Sequence, residues 1–375
     1  MPGVALITTS YPDNVRGAEA AGSFVEDFAL ELSNSVAVTV LAASIDDSVV
    51  RKGNLTERRF AVPRLPLSQL KPQNPSDWPA VLKTLRAGRA ALRQLVDDDR
   101  PDHILALWAL PSGWWAESAG RGVPFSTWSL GSDIWSLGRI PLIRQRLKRV
   151  LANADHRFAD GLGLCVDVER LCGKSCTFLP STRRLPATND STVADRPPYK
   201  LAFLGRWHPN KGADLLMHAL EMLDDDDWNK IAEVRIFGGG PLAGQVRAAA
   251  DALAAAARPV TVGDYLDKNE AAELIAWADY VLLPSRIESI PVILSDAMQL
   301  GTPLVATPVG DLPRLHERYE FGILASAASE TSFAAAIRQA IHRDATGFGG
   351  GIERARLDID LETIAAQFLN EIGAN

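Results

Sequence analysis

The segment "YVLLPSRIESIPVILSD" (280–296) joins a short apolar run to a second apolar stretch that ends in an acidic residue. The four apolar residues ahead of Pro284 predict a strand buried on both faces, which is typical of a parallel sheet. Serine is favoured just before a helix and proline within its first turn, so we expect a helix that Ser289 caps and that begins near Pro291. The segment therefore predicts a strand–loop–helix unit of an α/β sheet.

The same alternation of apolar runs and helical-period segments extends along the whole chain. In the first half the predicted strands are 4–9, 36–41, 59–65, 104–109 and 125–130, and the predicted helices include 19–34, 80–97 and 139–153. In the second half the predicted strands are 200–205, 234–239, 260–262, 280–284 and 303–307, with helices near 212–223, 242–257, 268–278, 290–300 and 330–343. Apolar strands separated by helices indicate parallel sheets covered on both faces.

The two halves are joined by a polar stretch without periodicity, at 181–198. We therefore predict an α/β protein of two doubly wound, Rossmann-like domains, 1–183 and 199–350, with a linker at 184–198. A last helix at 361–372 follows no strand of its own, so it must dock on one of the domains. Ligands of such sheets bind outside the carboxyl ends of the strands, and a substrate would lie in a cleft between the domains.

Composition restricts the possible functions. The chain has 375 residues, is 47% apolar and 23% charged, and carries a formal net charge of −7, which argues against a nucleic-acid binder. We see neither an apolar run long enough for a membrane-spanning helix nor a signal peptide. The three cysteines, at 165, 172 and 176, suit a reducing cytoplasm. We expect buried thiols rather than a metal site, which would need His156 as its fourth ligand.

Two cations follow the predicted strand 200–205. Arg206 and Lys211 lie on one short loop beside a helix start, an arrangement that suits a diphosphate. A solvated basic loop is the alternative reading of this stretch. The later "GGGPLAG" (238–244) has the wrong glycine spacing for a dinucleotide fingerprint, which disfavours a nicotinamide enzyme.

The opening segment adds two carboxylates on either side of a candidate anion site. Glu288 precedes the helix start, where we expect free amides over 290–293, and Asp296 follows about 7–8 Å further along the helix axis. A nucleoside diphosphate sugar has groups in the same order: sugar hydroxyls, pyrophosphate, ribose hydroxyls. In the alternative reading, Asp296 belongs to a solvated stripe with Ser295 and Gln299.

These stretches together resemble the retaining GT-B glycosyltransferases of family 4 (group 1). The resemblance rests on "LAFLGRWHPNKGADLLMHAL" (201–220), "VRIFGGGPL" (234–242) and "ADYVLLPSRIESIPVILSDAMQLGTPLVATPVGDLP" (278–313), in the family's order and spacing. In the first half, "ALWALPSG" (106–113) and "LGSDIW" (130–135) are similar to its acceptor-side loops.

The resemblance implies two domains facing a central cleft, with the last segment, 361–375, packed back on the first domain. It implies a hexosyltransferase that uses a UDP- or GDP-hexose, needs neither cofactor nor metal, and acts on a glycan or lipid-linked glycan in the cytoplasm. The implied pyrophosphate contacts are Arg206, Lys211, Gly17, Ile290, Pro291 and Val292. The other implied roles are Glu288 and Asp133 at the reacting sugar, Asp296 at the ribose, Tyr265 and Leu266 at the base, and Trp108, Ser112 and Gly113 on the acceptor side.

Three positions depart from the family pattern. Leucine stands at 107 and 130, where the family often has histidine, and Asp296 replaces a glutamate. A nucleotide-sugar-binding protein or complex-forming subunit that has lost turnover is therefore the alternative function. The basic amphipathic segment 137–157 is expected either to pair a core face with a solvated face or to contact the inner surface of a membrane.

Overall fold

The computed structural model of the chain describes residues 3–13, 22–65, 67, 70, 74–186, 188 and 193–374. The chain divides into two compact units, one formed by residues 1–183 with 361–375 and the other by residues 184–360. None of the helices in the described ranges is long and apolar enough to cross a membrane.

The first unit has an eight-stranded sheet within the described residues, in the order β3-β4-β2-β1-β5-β6-β7-β8. All neighbouring strands are parallel except the antiparallel pair β3–β4. The strands are β1 (Gly3–Thr8), β2 (Ala37–Ser44), β3 (Ser48–Lys52), β4 (Leu55–Ala61), β5 (His103–Leu107), β6 (Phe125–Ser129), β7 (His156–Ala159) and β8 (Thr177–Phe178). The helices are α1 (Ser23–Leu32), α2 (Trp78–Asp99), α3 (Trp114–Ala119), α4 (Ser132–Trp135), α5 (Pro141–Asn153) and α6 (Leu162–Cys172).

The second unit has a six-stranded sheet in the order β11-β10-β9-β12-β13-β14, and its pairings are all parallel. Its strands are β9 (Tyr199–Arg206), β10 (Ile231–Gly239), β11 (Val260–Gly263), β12 (Tyr280–Leu283), β13 (Leu304–Ala306) and β14 (Gly322–Leu324). Its helices are α7 (Ala213–Glu221), α8 (Asp225–Trp228), α9 (Ala243–Ala255), α10 (Lys268–Trp277), α11 (Val292–Gln299), α12 (Leu312–Tyr319), α13 (Glu330–Ile341) and α14 (Gly349–Asp358). Each unit is thus a doubly wound α/β domain, as predicted.

The chain ends with α15 (Leu361–Glu371), which packs on the first unit. Its predicted apolar stripe, which includes Leu361, Ile364 and Phe368, is buried. The Phe368 ring lies 5.7 Å from that of Phe28 on α1 and 5.6 Å from that of Phe158 on β7. The last segment of the chain therefore completes the core of the first unit.

One predicted strand had the wrong end, and several observed elements were not predicted. The strand predicted at 59–65 is β4, which ends at Ala61, two residues before Pro63, a residue that cannot donate to a ladder. Its partner β3 was not predicted, because all five of its residues are exposed and mostly polar. The sequence reading also left out the short strands β7, β8 and β14 and the helices α6, α12 and α14.

The cysteines lie together in the first unit. Cys165 and Cys172 are buried among apolar side chains that flank α6, and Cys176 packs against the same cluster half-buried. Within the described residues, no group of three or more histidine, cysteine or acidic side chains is placed to hold a metal ion. Packing as small apolar side chains accounts for the position of these thiols.

His103 gives the first unit a predictable pH dependence. It is buried, and its Nε2 lies 2.7 Å from the Ser126 hydroxyl. Burial, reinforced by the nearby His156, lowers the pKa of His103 from 6.5 to about 4. Between these values the unfolded chain binds a proton that the folded chain does not, so stability is full above pH 6.5 and is lost as pH falls towards 4.

We expect His103→Asn to flatten this dependence by up to about 1.4 kcal/mol per pH unit, because the variant has no imidazole to protonate. Urea unfolding of the first unit at several pH values measures it as the difference between wild type and variant. His218→Asn, at an exposed position of α7, is the control and should leave the slope unchanged. Equal slopes for wild type and His103→Asn would contradict the assignment.

Candidate functional site

The strand order of the second sheet places two loops side by side. β9 and β12 are neighbours, and the chain runs outward from β9 through β10 and β11 on one side and from β12 through β13 and β14 on the other. The loops after β9 and β12 therefore leave the carboxyl edge in opposite directions, which opens a crevice where ligands of doubly wound sheets bind.

The loop after β9 carries the two predicted cations. Arg206 ends the strand, is exposed, and makes no ion pair with any residue that the structure describes. The buried Trp207 anchors the chain behind it, and a short turn over Pro209–Lys211 leads to Gly212. Gly212 has φ 69°, and a Cβ there would overlap the carbonyl oxygen of Pro284. Only glycine therefore lets this loop touch the loop after β12.

The two loops meet in an ion pair. Lys211 Nζ lies 2.5 Å from Glu288 Oε1, and the Ser285 hydroxyl donates to the same oxygen at 2.8 Å. The lysine side chain is 38% exposed and that of Glu288 10%. Ser285 is itself held by Thr307, whose hydroxyl donates to the Ser285 carbonyl at 2.5 Å. Two donors on one oxygen therefore hold the Glu288 carboxylate in place, while Lys211 stays partly exposed to solvent.

Arg286 ties the loops together a second time. Its amide donates to the Asn210 carbonyl at 2.8 Å, and its guanidinium donates to the Pro209 carbonyl at 2.8 Å and to Asp214 at 2.7 Å. Burial alone would raise the pKa of Asp214, but the hydrogen bond and charge of Arg286 hold this pKa below its ordinary value. The sequence reading missed Ser285, Arg286 and Thr307. Their one signal was position: Ser285 and Arg286 directly follow the predicted strand 280–284, and Thr307 is the last residue of the predicted strand 303–307.

The helix start in the opening segment differs from the prediction. α11 begins at Val292, Pro291 is the extended residue before it, and no side chain caps the helix. Ser289 is therefore not the cap; its carbonyl instead accepts from the Asp311 amide at 3.2 Å. Proline has no N–H, so the amides that this end offers to an anion come from its neighbours, beginning with Ile290 and Val292.

Asp296 lies on α11 and is 1% exposed. The alternative reading, in which Asp296 belongs to a solvated stripe with Ser295 and Gln299, is wrong, because both Asp296 and Ser295 are buried. The loop after β13 contacts the chain just before α11. Gly310 in that loop has φ 58°, and a Cβ there would overlap the carbonyl oxygens of Glu288 and Ser289. The ribose-binding role of Asp296 stays a prediction.

Glycines and a tyrosine form the neighbouring part of the edge. The exposed Tyr265, in the loop after β11, donates from its hydroxyl to the Gly239 carbonyl at 2.6 Å, and its ring covers that glycine. Leu266 packs half-buried against the apolar cluster of Ala202, Leu274 and Ala278. Tyr265 and Leu266 thus lie at the same carboxyl edge as Arg206, and their role at a base stays a prediction.

The predicted residues of the first unit have varied surroundings. Asp133 is 1% exposed; its carboxylate accepts from the amides of Ala109 at 2.7 Å and Leu130 at 3.3 Å. Burial raises the pKa of this carboxyl even though backbone amides oppose the shift. Asp133 therefore holds the loop after β5 to the loop after β6, as a positioning residue would.

Trp108 is partly exposed, whereas Ser112 and Gly113 are buried, the latter against Val150 and Thr127. The acceptor-side roles of these residues and the sugar contact of Asp133 stay predictions. Leu107 is fully buried, so a histidine at that position would lie in the core, and Leu130 is half-buried. Gly17 lies outside the described residues.

Solved structures with the same architecture identify the class of fold. Sucrose-phosphate synthase from Thermosynechococcus elongatus aligns over 100% of this chain and 98% of its own, with a TM-score of 0.78 and 18% identity. Anabaena HepE in complex with UDP aligns over 100% of both chains, with a TM-score of 0.71 and 16% identity. The chain has the GT-B fold of two Rossmann-like domains.

The sequence of the second unit matches a described family. Residues 198–343 match the family described as "Glycosyl transferases group 1". D-inositol 3-phosphate glycosyltransferase of Corynebacterium glutamicum is 34% identical over 42% of this chain, and that of Actinosynnema mirum is 31% identical over 40%. These matches span 39% and 40% of the two relatives' own lengths. Over residues 198–343 the chain is therefore similar in sequence to the group 1 glycosyltransferases.

Gly212→Ala should disturb the site through its backbone. The variant places a side chain at positive φ against the Pro284 carbonyl, and we expect a loss of at least about 1–3 kcal/mol in unfolding free energy. Gly244→Ala in α9 is the matched control: a Cβ there meets no atom within 4 Å, and alanine should stabilise the helix slightly. Chemical denaturation measures both, and a Gly212→Ala protein as stable as wild type would contradict the close approach.

Proposed function

We propose that the chain is a retaining hexosyltransferase that moves a hexose from a nucleoside diphosphate sugar to a hydroxyl of a glycan or lipid-linked glycan. The observation that carries the proposal is the meeting of the loops after β9 and β12, where Lys211 pairs with Glu288. Arg206, on the same short loop as Lys211, is exposed and has no ion pair among the described residues. UDP-hexose is the donor we favour, because UDP accompanies HepE, a neighbour in fold, while GDP-hexose remains in the test.

The pyrophosphate of the donor would occupy the space between the cations and the start of α11. Arg206 offers a guanidinium with no ion pair among the described residues, and Lys211 offers a half-exposed ammonium. The uncapped amides that begin at Ile290 and Val292 add the positive end of a helix. These groups would stabilise the negative charge that develops on the leaving diphosphate as the glycosidic bond breaks, the work that a divalent cation does elsewhere.

Glu288 would accept hydrogen bonds from the hydroxyls of the donor sugar. Its Oε1 already holds Lys211 and Ser285, so the carboxylate has a fixed position before any ligand arrives. A diphosphate would compete with Glu288 for Lys211, which couples phosphate binding to the freedom of this carboxylate. Asp296 would lie at the ribose, and Tyr265 with Leu266 at the base.

The acceptor would contact the first unit. Trp108 is the partly exposed one of the predicted acceptor-side residues Trp108, Ser112 and Gly113, and Asp133 would position the loop that carries them. A cytoplasmic location and a membrane contact through 137–157 stay predictions from the sequence.

Binding of nucleoside diphosphates tests the donor site. We expect one of UDP, GDP, ADP and dTDP to stabilise the protein against thermal unfolding, with calorimetry giving its affinity. Arg206→Ala and Lys211→Ala should each weaken that affinity about tenfold or more, because each removes a hydrogen bond from a charged donor to the phosphates. Arg354→Ala, at an exposed position of α14 in the same unit, should leave it unchanged.

The donor-site proposal would be wrong if none of the four nucleotides stabilised the protein and if the two site variants behaved like wild type in the same measurement. Binding followed by release of the hexose from the matching nucleotide sugar would support transfer over a binding-only role. The anomeric configuration of the product, read by proton NMR, distinguishes retention from inversion.

Glu288→Gln separates sugar contact from phosphate contact. The variant keeps the size of the side chain but removes the charge that pairs with Lys211, so we expect affinity for the free nucleoside diphosphate to hold or rise. Hexose transfer or hydrolysis should fall by roughly 100-fold, the scale of losing one electrostatic contact at the reacting centre. Glu273→Gln on α10, which is exposed, is the control. Unchanged turnover in Glu288→Gln would contradict a role for Glu288 at the sugar.

A further inference from the structure

A second basic site lies in the first unit. A groove of about 480 Å³ lies against α4, α5 and α6. We call it the basic groove and define it by the residues that matter for its chemistry, which are Trp135, Arg139, Arg144, Asp167, Arg170 and Leu171. None of these residues has a part in the proposed donor site.

The basic groove holds an excess of positive charge. Its one carboxylate, Asp167, is already engaged, since it accepts from the Trp135 indole at 2.9 Å and lies 3.4 Å from Arg170. Arg139 and Arg144 have no carboxylate partner anywhere in the described ranges; Arg144 reaches only the Gly138 carbonyl, at 3.5 Å. Three guanidinium groups face one carboxylate, which leaves two positive charges unbalanced.

The arginines along and just before α5 are divided by their surroundings. Arg146 and Arg149 both pair with Glu117, at 3.7 Å and 3.2 Å. Arg139 and Arg144 line the groove and have no carboxylate partner in the described ranges. A basic helix that served only solubility would need no such division, whereas an anion site needs cations that are free of protein carboxylates.

The shape of the basic groove indicates more than a bare ion. Guanidinium groups match the oxygens of a phosphate in a planar, two-pronged arrangement, and two unbalanced charges suit a phosphate monoester. The indole of Trp135 and the side chain of Leu171 offer apolar surface beside the arginines, which suits the organic part of such a ligand.

We propose that the basic groove binds the phosphate of a phosphate ester through Arg139 and Arg144, with Trp135 and Leu171 contacting the rest of the molecule. The ester is either free in solution or the headgroup of a membrane lipid. Leu142, which is 82% exposed at the start of α5 near these arginines, is the side chain that would enter a lipid surface. The binding does not depend on hexose transfer.

The test uses the full chain and two probes, glycerol 3-phosphate and vesicles of phosphatidylcholine with or without phosphatidylglycerol. Phenylglyoxal modifies accessible arginines, and peptide mass mapping reads each one separately. We expect a binding probe to protect Arg139 and Arg144, while Arg86 on α2, which is exposed, stays reactive. Protection should persist in Arg206→Ala, which separates the basic groove from the donor site.

Two double variants complete the test. Arg139→Gln with Arg144→Gln should weaken binding by about 100-fold, as expected from about tenfold for each charged hydrogen bond. Lys83→Gln with Arg86→Gln is the matched control, since it removes the same charge from an exposed face of α2 beside the exposed Leu82. The control should bind like wild type.

The outcomes separate the two sources of the phosphate. Protection by glycerol 3-phosphate supports the proposal with a soluble ester as the ligand. Protection by phosphatidylglycerol vesicles alone supports it with a lipid headgroup, and Leu142→Ala should then reduce vesicle binding. The proposal would be overturned if neither probe protected Arg139 and Arg144, or if the groove variant bound the probe as tightly as wild type. Should the groove variant fail to fold, protection of the wild-type arginines still decides.

Discussion

The candidate site depends on the close approach of two loops at the carboxyl edge of the second sheet. Gly212 has no Cβ, so the loop after β9 can pass against the Pro284 carbonyl, and Arg286 then binds the carbonyls of Asn210 and Pro209. Without this contact, Lys211 would not lie within 2.5 Å of Glu288. Gly310 makes a similar approach from the loop after β13. The chemistry of the site rests on backbone atoms that tolerate no side chain between them.

Electrostatics gives the same region a second constraint. The loop after β9 holds two cations: Lys211 pairs with Glu288, while Arg206 is exposed and has no ion pair among the described residues. The Lys211–Glu288 pair, with its lysine partly exposed and its glutamate largely buried, fixes where both groups lie. A diphosphate brings enough negative charge to engage both cations. The same reasoning applies along and just before α5, where Arg146 and Arg149 pair with Glu117 while Arg139 and Arg144 have no carboxylate partner among the described residues.

The strands of the second sheet could be predicted because they are buried on both faces and read as apolar runs. β9, β10 and β12 began within a few residues of their expected positions. The exposed edge strand β3 has too little apolar character to be recognised, and β14, although apolar, has only three residues. The start of α11 was placed too early, because Ser289 and Pro291 satisfy the local preferences of a helix start while the contact with Asp311 holds Ser289 outside the helix.

The sequence by itself determined the α/β class, the two-part organisation and the kinds of residue that follow each strand, because strand burial and glycine placement are local properties. It named Arg206, Lys211 and Glu288 as members of one site but not the contacts that join them. Only the tertiary structure decided that Lys211 pairs with Glu288, that Ser285 donates to this carboxylate while Thr307 holds the Ser285 backbone, and that Ser112 lies in the core. Those facts depend on which strands are neighbours, and the order of strands in a sheet is set by packing across the whole unit.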